Sequence, residues 1–298
     1  MKTIVPACLW EAGATLGEGA LWHAQEAAFY SVDIKRHRIL RCTADGGARR
    51  VWNAPHQIGF VVPLAGGGMV CGMQGGLYRF DPGTGAFALL TEVEPELPGN
   101  RINDGFVDAT GTLWFGTMDD AETAPSGSLY RAGADGTPRL ADPGYVITNG
   151  PAASPDGRTL YHTDTLGKVT YAFDLLPDGS LRNKRVFASF VGQQGHPDGM
   201  AVDADGHVWI AHFGGWRIDR FAPDGSLAGC VRFPCANITK LAFGGPDLRT
   251  VCVTTARKGL SDAELERQPR AGDLFTFRSP VPGLPGHAFR LADAGGAA

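Results

Sequence analysis

The 298-residue sequence predicts an all-β chain, a six-bladed β-propeller forming a single domain over residues 1–298. Three observations carry that prediction. A strand with an aromatic or apolar marker recurs six times, around Phe29, Val70, Trp114, Tyr161, Trp209 and Cys252, at separations of 41, 44, 47, 48 and 43 residues. A repeat of about 45 residues is the length of one four-stranded blade. The segments between markers are rich in turn dipeptides (DPGTG, ADGTP, SPDGR, LPDGS, DADG, APDGS), and the 42 Gly and 20 Pro are spread among them without forming a linker. Long helical periodicity is absent, and six such units use nearly the whole chain.

Each unit reads, in order, as an inner strand, a turn with Asp and Gly, the marker strand, and outer strands of the kind seen at 77–81 and 220–224. The inner segments include NDGFVDATG, NGPAASPDG and DGMAVDADG, in which a polar residue and a glycine open a short apolar stretch. Two segments exceed the repeat. Residues 119–127 (DDAETAPSG) extend a loop after the Trp114 strand, and residues 256–272 follow the last marker strand. The second contains a helix start, with Ser261 as N-cap and Glu264 three residues on. Ring closure is expected to pair a first strand near residues 8–11 with a last strand near residues 288–291.

Composition narrows the function. A formal charge of −4 gives no broad basic field for nucleic acid or anionic lipid, and the Lys35-Arg36-His37-Arg38 and Arg49-Arg50 clusters fall in or beside turns. Apolar runs stay well short of the roughly 20 residues of a membrane span. The N-terminal segment is interrupted by Pro6 and followed by Glu11, which does not make a signal-peptide core, so a cytoplasmic location is expected. The six cysteines include no CxxC, and buried free thiols are expected.

The repeat register also selects candidate site residues. Glu18, Asn103 and Asp198 each lie 11 residues before their marker, and Asn149 lies 12 before Tyr161. In a propeller the inner strands line the central channel, so equivalent inner positions form a ring at its mouth. The corresponding positions in the second and sixth units, Gly59 and Ile238 or Thr239, read as spacers. Asn-Gly and Asp-Gly are also ordinary turn chemistry, but turn propensity does not account for a Glu in the same register. Glu18, Asn149 and Asp198 make a hard oxygen set suited to one divalent cation such as Ca, Mn, Mg or Fe(II), and less to Zn. Three protein ligands leave positions open to water or substrate.

The segments LGEGALWH, RINDGFVDATGTLWFGTMDD, ITNGPAASPDGRTLYHTDT, HPDGMAVDADGHVWIAHFGG and TTARKGLSD together resemble the gluconolactonase/regucalcin (senescence marker protein) family, over essentially the whole chain. The resemblance implies divalent-metal-dependent hydrolysis of a sugar-acid lactone, with Glu18, Asn149 and Asp198 as metal ligands and Arg101 and Asn103 as substrate contacts. The narrower similarity is to bacterial pentonolactonases of the xylonolactonase type, which favours Fe(II). Where relatives read GTMxEETAP, this chain is one residue longer, so the acidic substrate contact falls on Asp120 or Glu122 or is absent. Asp198 is the candidate general base. His196, beside Pro197-Asp198, is either a proton shuttle or a structural histidine, and His162 and Asp164 are either supporting site groups or ordinary strand residues. The competing class is a non-catalytic propeller, a calcium-binding or protein-binding scaffold.

Overall fold

All six marker residues lie in the second strand of a four-stranded antiparallel sheet, and all six are buried. The structure is a computed structural model that describes residues 4–292. It contains six such sheets, arranged as blades whose inner strands are Gly17–His23, Ile58–Pro63, Asn100–Val107, Thr148–Ala153, His196–Val202 and Ile238–Gly244. These strands are mostly buried along their length, with a few charged or amide residues set among apolar and small ones. The outer strands, such as Ala86–Glu92 and Leu181–Ser189, are mostly exposed and alternate less strictly. Two markers carry a polar tether as well as bulk. Trp114 Nε1 donates to Asp108 at 2.8 Å, and Trp209 Nε1 to Asp203 at 2.9 Å, so each indole fills the blade interior with its one donor satisfied.

Ring closure differs from the expectation. The strand Ala7–Trp10 pairs with Leu274–Arg278, and the two complete the sixth blade with Thr250–Thr255 and Ile238–Gly244. The expected partner near residues 288–291 is not a blade strand. Phe289 bonds to Pro63 and Arg290 to Gly111, so this stretch lies across blades two and three instead. Joining the chain's first strand to its last blade covers a sheet edge just as the predicted pairing would have done. The capping box was read correctly: Asp262–Arg267 is an α-helix in which Ser261 and Glu264 exchange hydrogen bonds.

Every inner strand breaks register with its neighbour at one equivalent place. The shifts fall between Glu18 and Leu21, Ile58 and Phe60, Ile102 and Gly105, Asn149 and Ala152, Pro197 and Met200, and Ile238 and Lys240. A bulge re-aims side chains and frees backbone groups from the ladder, and here it does so six times around one axis. The inner backbones come very close there. A Cβ on Gly59 would sit 2.0 Å from the carbonyl oxygen of Asn103, so the second blade can hold only glycine at this place. Gly150, next to Asn149, has φ 70°, a conformation that a side chain would strain.

The six cysteines are free thiols. Cys42, Cys71, Cys235 and Cys252 are buried as expected, whereas Cys8 and Cys230 lie on exposed strand positions.

Candidate active site

The bulges deliver Glu18, Asn103, Asn149 and Asp198 to one cavity of about 210 Å³, which Arg101, Glu122, His196 and Lys258 also line. Four residues predicted from register alone are therefore neighbours in space. Glu18 and Asp198 are buried, and among the described residues neither forms an ion pair. Burial pushes the Glu18 carboxyl up to about 8, with repulsion from Asp104 adding to the effect. Asp198 is raised well above the carboxylate range by burial first and then by Glu18 and Asp104. The two carboxyls stand close enough for a proton on one to bond to the other. Two like charges in a buried site either share a proton or require a cation.

A hydrogen-bonded chain orients the remaining groups. Asn149 Nδ2 donates to Thr165 Oγ1 at 2.9 Å, which leaves its Oδ1 facing the ring, where Asn103 Nδ2 donates to it at 3.0 Å. Asn103 Nδ2 also donates to Thr148 O, and Asn103 Oδ1 accepts from Arg101 Nη1 at 2.6 Å. Arg101 Nε in turn donates to Asp120 at 2.7 Å, and Asp120 receives Lys35 Nζ at 2.7 Å and Gln57 Nε2 at 3.0 Å. Burial works to raise the Asp120 carboxyl, but the bonds from Gln57, Lys35 and Arg101 outweigh it and hold the group below the ordinary range. Of the two candidate acids, Glu122 lines the cavity, whereas Asp120 is not among its lining residues and anchors Arg101.

The donor set fits a divalent cation. Glu18 uses one oxygen to accept from the Gly19 amide, 3.0 Å, which leaves the other free, and the Asn149 oxygen has a lone pair beyond the one Asn103 occupies. Among the described residues no group of three or more His, Cys, Asp or Glu is placed to hold a metal. The available set is two carboxylates and an amide, the hard oxygen chemistry of Ca, Mg, Mn or Fe(II). Glu18, Asn149 and Asp198 would hold such an ion, and it would neutralise the stranded charge.

Sequence reasoning missed Lys240 and Asp104. The sixth blade was read as a spacer, and Thr239 does only brace the ring, its Oγ1 donating to Gly17 O at 2.6 Å. The next residue, Lys240, instead sends its ammonium to Asp104, with both residues buried. The signal lies in the residue after Asn103 and the residue after Thr239, the D of NDG and the K of ITK. His196 lines the cavity with a long 3.4 Å contact from Nδ1 to Thr165 O. His162 is fully buried outside it, kept neutral with its pKa lowered to about 3 by burial and then by Lys184. Asp164 accepts from the Gly167 amide and closes a turn.

Fold and site together define a six-bladed propeller that presents a small, acid-lined cavity on its axis. The chain belongs to the SMP-30/gluconolactonase/LRE-like family, whose model matches residues 16–257. It is 39% identical over 274 residues to an L-arabinolactonase of Azospirillum brasilense, covering 91% of this chain and 90% of that one. It is 32% identical over 277 residues to a 6-deoxy-6-sulfogluconolactonase of Pseudomonas putida, covering 93% and 95%. Among solved structures, a calcium-binding protein, regucalcin, from Agrobacterium tumefaciens superposes with a TM-score of 0.93 at 29% identity, over 98% of this chain and 100% of that one.

Proposed function

We propose that the chain hydrolyses an aldonolactone to the free aldonic acid, with one divalent cation held by Glu18, Asn149 and Asp198. Most weight rests on two buried carboxylates that form no ion pair among the described residues, in a cavity that also presents Arg101, Asn103 and Glu122. A volume of about 210 Å³ lies below the usual span for drug-sized ligands and suits a molecule of monosaccharide size. The 39% identity to an L-arabinolactonase favours a pentonolactone, with L-arabinono- and D-xylono-lactone the first candidates. Fe(II) is the metal favoured by the resemblance to pentonolactonases, with Mn, Zn, Ca and Mg as alternatives.

Lactone opening adds water to an ester carbonyl and passes through a tetrahedral oxyanion. When bound, the cation supplies Lewis-acid stabilisation of that charge, worth several kcal/mol. Asp198 takes a proton from the attacking water and returns it to the departing ring oxygen. Arg101 donates to ring or hydroxyl oxygens from a guanidinium fixed by Asp120. Asn103 already donates to Asn149 and accepts from Arg101, so it holds both neighbours in place while offering its remaining lone pair to the sugar. Glu122 accepts from hydroxyls at the cavity mouth. Burial, with added repulsion from Asp104 on both groups and from Glu18 on Asp198, raises both carboxyls in the free protein and gives the cation a strong electrostatic reason to bind.

The scaffold alternative predicts a bound cation without turnover. Following L-arabinono-, D-xylono- and D-glucono-lactone hydrolysis by pH-stat, with metal-stripped protein and after adding Fe(II), Mn(II), Zn(II) or Ca(II), separates the two. Metal-restored turnover above the spontaneous rate supports the enzyme. Absence of acceleration with every metal, in folded protein, supports the scaffold.

A further inference from the structure

The two segments that exceed the repeat meet over the cavity. Glu122, from the loop after the third blade's marker strand, and Lys258, from the segment after the sixth blade's, form an ion pair, each with about a third of its side chain exposed. Both are held on stiff turns. The Asp119 carboxylate accepts from the backbone amides of Ala121, Thr123 and Ala124 at 3.2, 2.9 and 2.8 Å, and Glu122 itself sits at φ 60°, an uncommon conformation for a non-glycine residue. On the opposite rim, Lys258 N donates to Thr15 O at 2.8 Å, while Lys258 O accepts from the buried Asn237 Nδ2 at 3.0 Å. The two charged ends are thus brought together from independent supports, and both line the cavity that holds Glu18, Asn149 and Asp198.

Resting on the lactonase reading, we propose that Lys258 is a substrate-recognition residue and that the Glu122–Lys258 pair selects lactones carrying hydroxyls remote from the ester. A sugar hydroxyl both donates and accepts. Placed between a carboxylate and an ammonium, it donates to the first and accepts from the second, replacing the direct ion pair without leaving either charge unpartnered. An apolar ring portion in the same place separates the charges and offers them nothing, which is the arrangement that discriminates most strongly against a missing hydroxyl. The pair stands at the rim, so this selection is separate from the carbonyl chemistry at the carboxylates.

The test compares kcat/KM for an aldonolactone with that for hydroxyl-free δ-valerolactone, in the wild type, K258M, E122Q and K258R, with thermal melts confirming the fold. The proposal expects the aldonolactone-over-valerolactone ratio to fall about 10- to 100-fold in K258M and in E122Q, the loss of one charge-assisted hydrogen bond, and to recover largely in K258R. A ratio unchanged in both K258M and E122Q, whatever happens to the absolute rates, overturns it. A wild-type chain that hydrolyses neither lactone overturns the lactonase reading itself, and the selectivity proposal falls with it.

Discussion

Lys240 Nζ lies 2.5 Å from both carboxylate oxygens of Asp104, an ion pair that joins the sixth blade to the third across the central channel. Both side chains are buried, so each charge depends on the other for compensation. Removing one partner of a buried pair costs about 3–5 kcal/mol, whereas removing both costs much less. K240M is therefore expected to lose about 3 kcal/mol or more in urea denaturation, and D104N/K240M to recover most of it. Independent, additive losses in the two single variants would show that the pair does not bind the blades together.

The raised carboxyls set a pH dependence for the metal-free protein. Burial pushes the Glu18 carboxyl up to about 8 in the fold against an ordinary value of 4.5, so between those values the folded chain holds more protons than the unfolded one. Its stability should then fall as pH rises through that window, with Asp198, shifted in the same direction, adding to the slope. Metal binding must expel those protons and so tightens with rising pH. The rise in Tm produced by a fixed concentration of Mn(II) should be larger at pH 8 than at pH 6. An equal rise at both values would mean that these carboxyls are not the ligands.

Asp120 is expected to act on catalysis through Arg101, whose guanidinium it holds. It receives Arg101 Nε, Lys35 Nζ and Gln57 Nε2, and it remains ionised throughout the neutral range. D120N keeps the shape but weakens every one of those bonds, which frees Arg101 from its fixed orientation. A KM increase of about 10-fold or more, with kcat reduced much less, is the expected signature of lost substrate positioning. Steady-state kinetics showing a kcat loss with KM intact would place Asp120 in the chemistry instead.

The first strand should matter to the fold out of proportion to its length. Ala7–Trp10 covers the edge of Leu274–Arg278 and completes the last blade. Deleting residues 1–11 exposes that edge, and light scattering should report association along with a lower Tm. A deletion variant with the same association state and Tm as the full chain would show that the sixth blade is closed without it.

Much of this molecule was legible in one dimension because a propeller converts repeat register into proximity. Glu18, Asn103, Asn149 and Asp198 could be placed together from spacing alone, since each occupies the bulge of its own inner strand. Gly19 and Gly199, beside Glu18 and Asp198, are explained by close backbone approach, since a Cβ would sit 2.9 Å from Gly59 O and 2.8 Å from Thr239 O, which no local motif reveals. Lys240 lies 12 residues before Cys252, the same count as Asn149 before Tyr161, so it falls within the register and is missed only when the sixth position is set at Ile238 or Thr239. The roles of Asp120 and Glu122 depend on how the 119–127 loop folds around the Asp119 carboxylate, and their side-chain directions are set by that turn. Ring closure differs from the expectation because the chain after Arg278 runs as an irregular tail that bonds in turn to blades six, five, two and three, a path that carries no strand periodicity.

The most direct measurement is to titrate metal-stripped protein with Mn(II) and to follow bound metal per chain and aldonolactone hydrolysis in the same samples, for the wild type and E18Q. Activity that rises in step with bound metal and levels off at one ion per chain, with both lost in E18Q, is the predicted result. Hydrolysis that is already complete without metal, or that stays absent when the site is filled, would contradict a metal-dependent lactonase built on Glu18, Asn149 and Asp198.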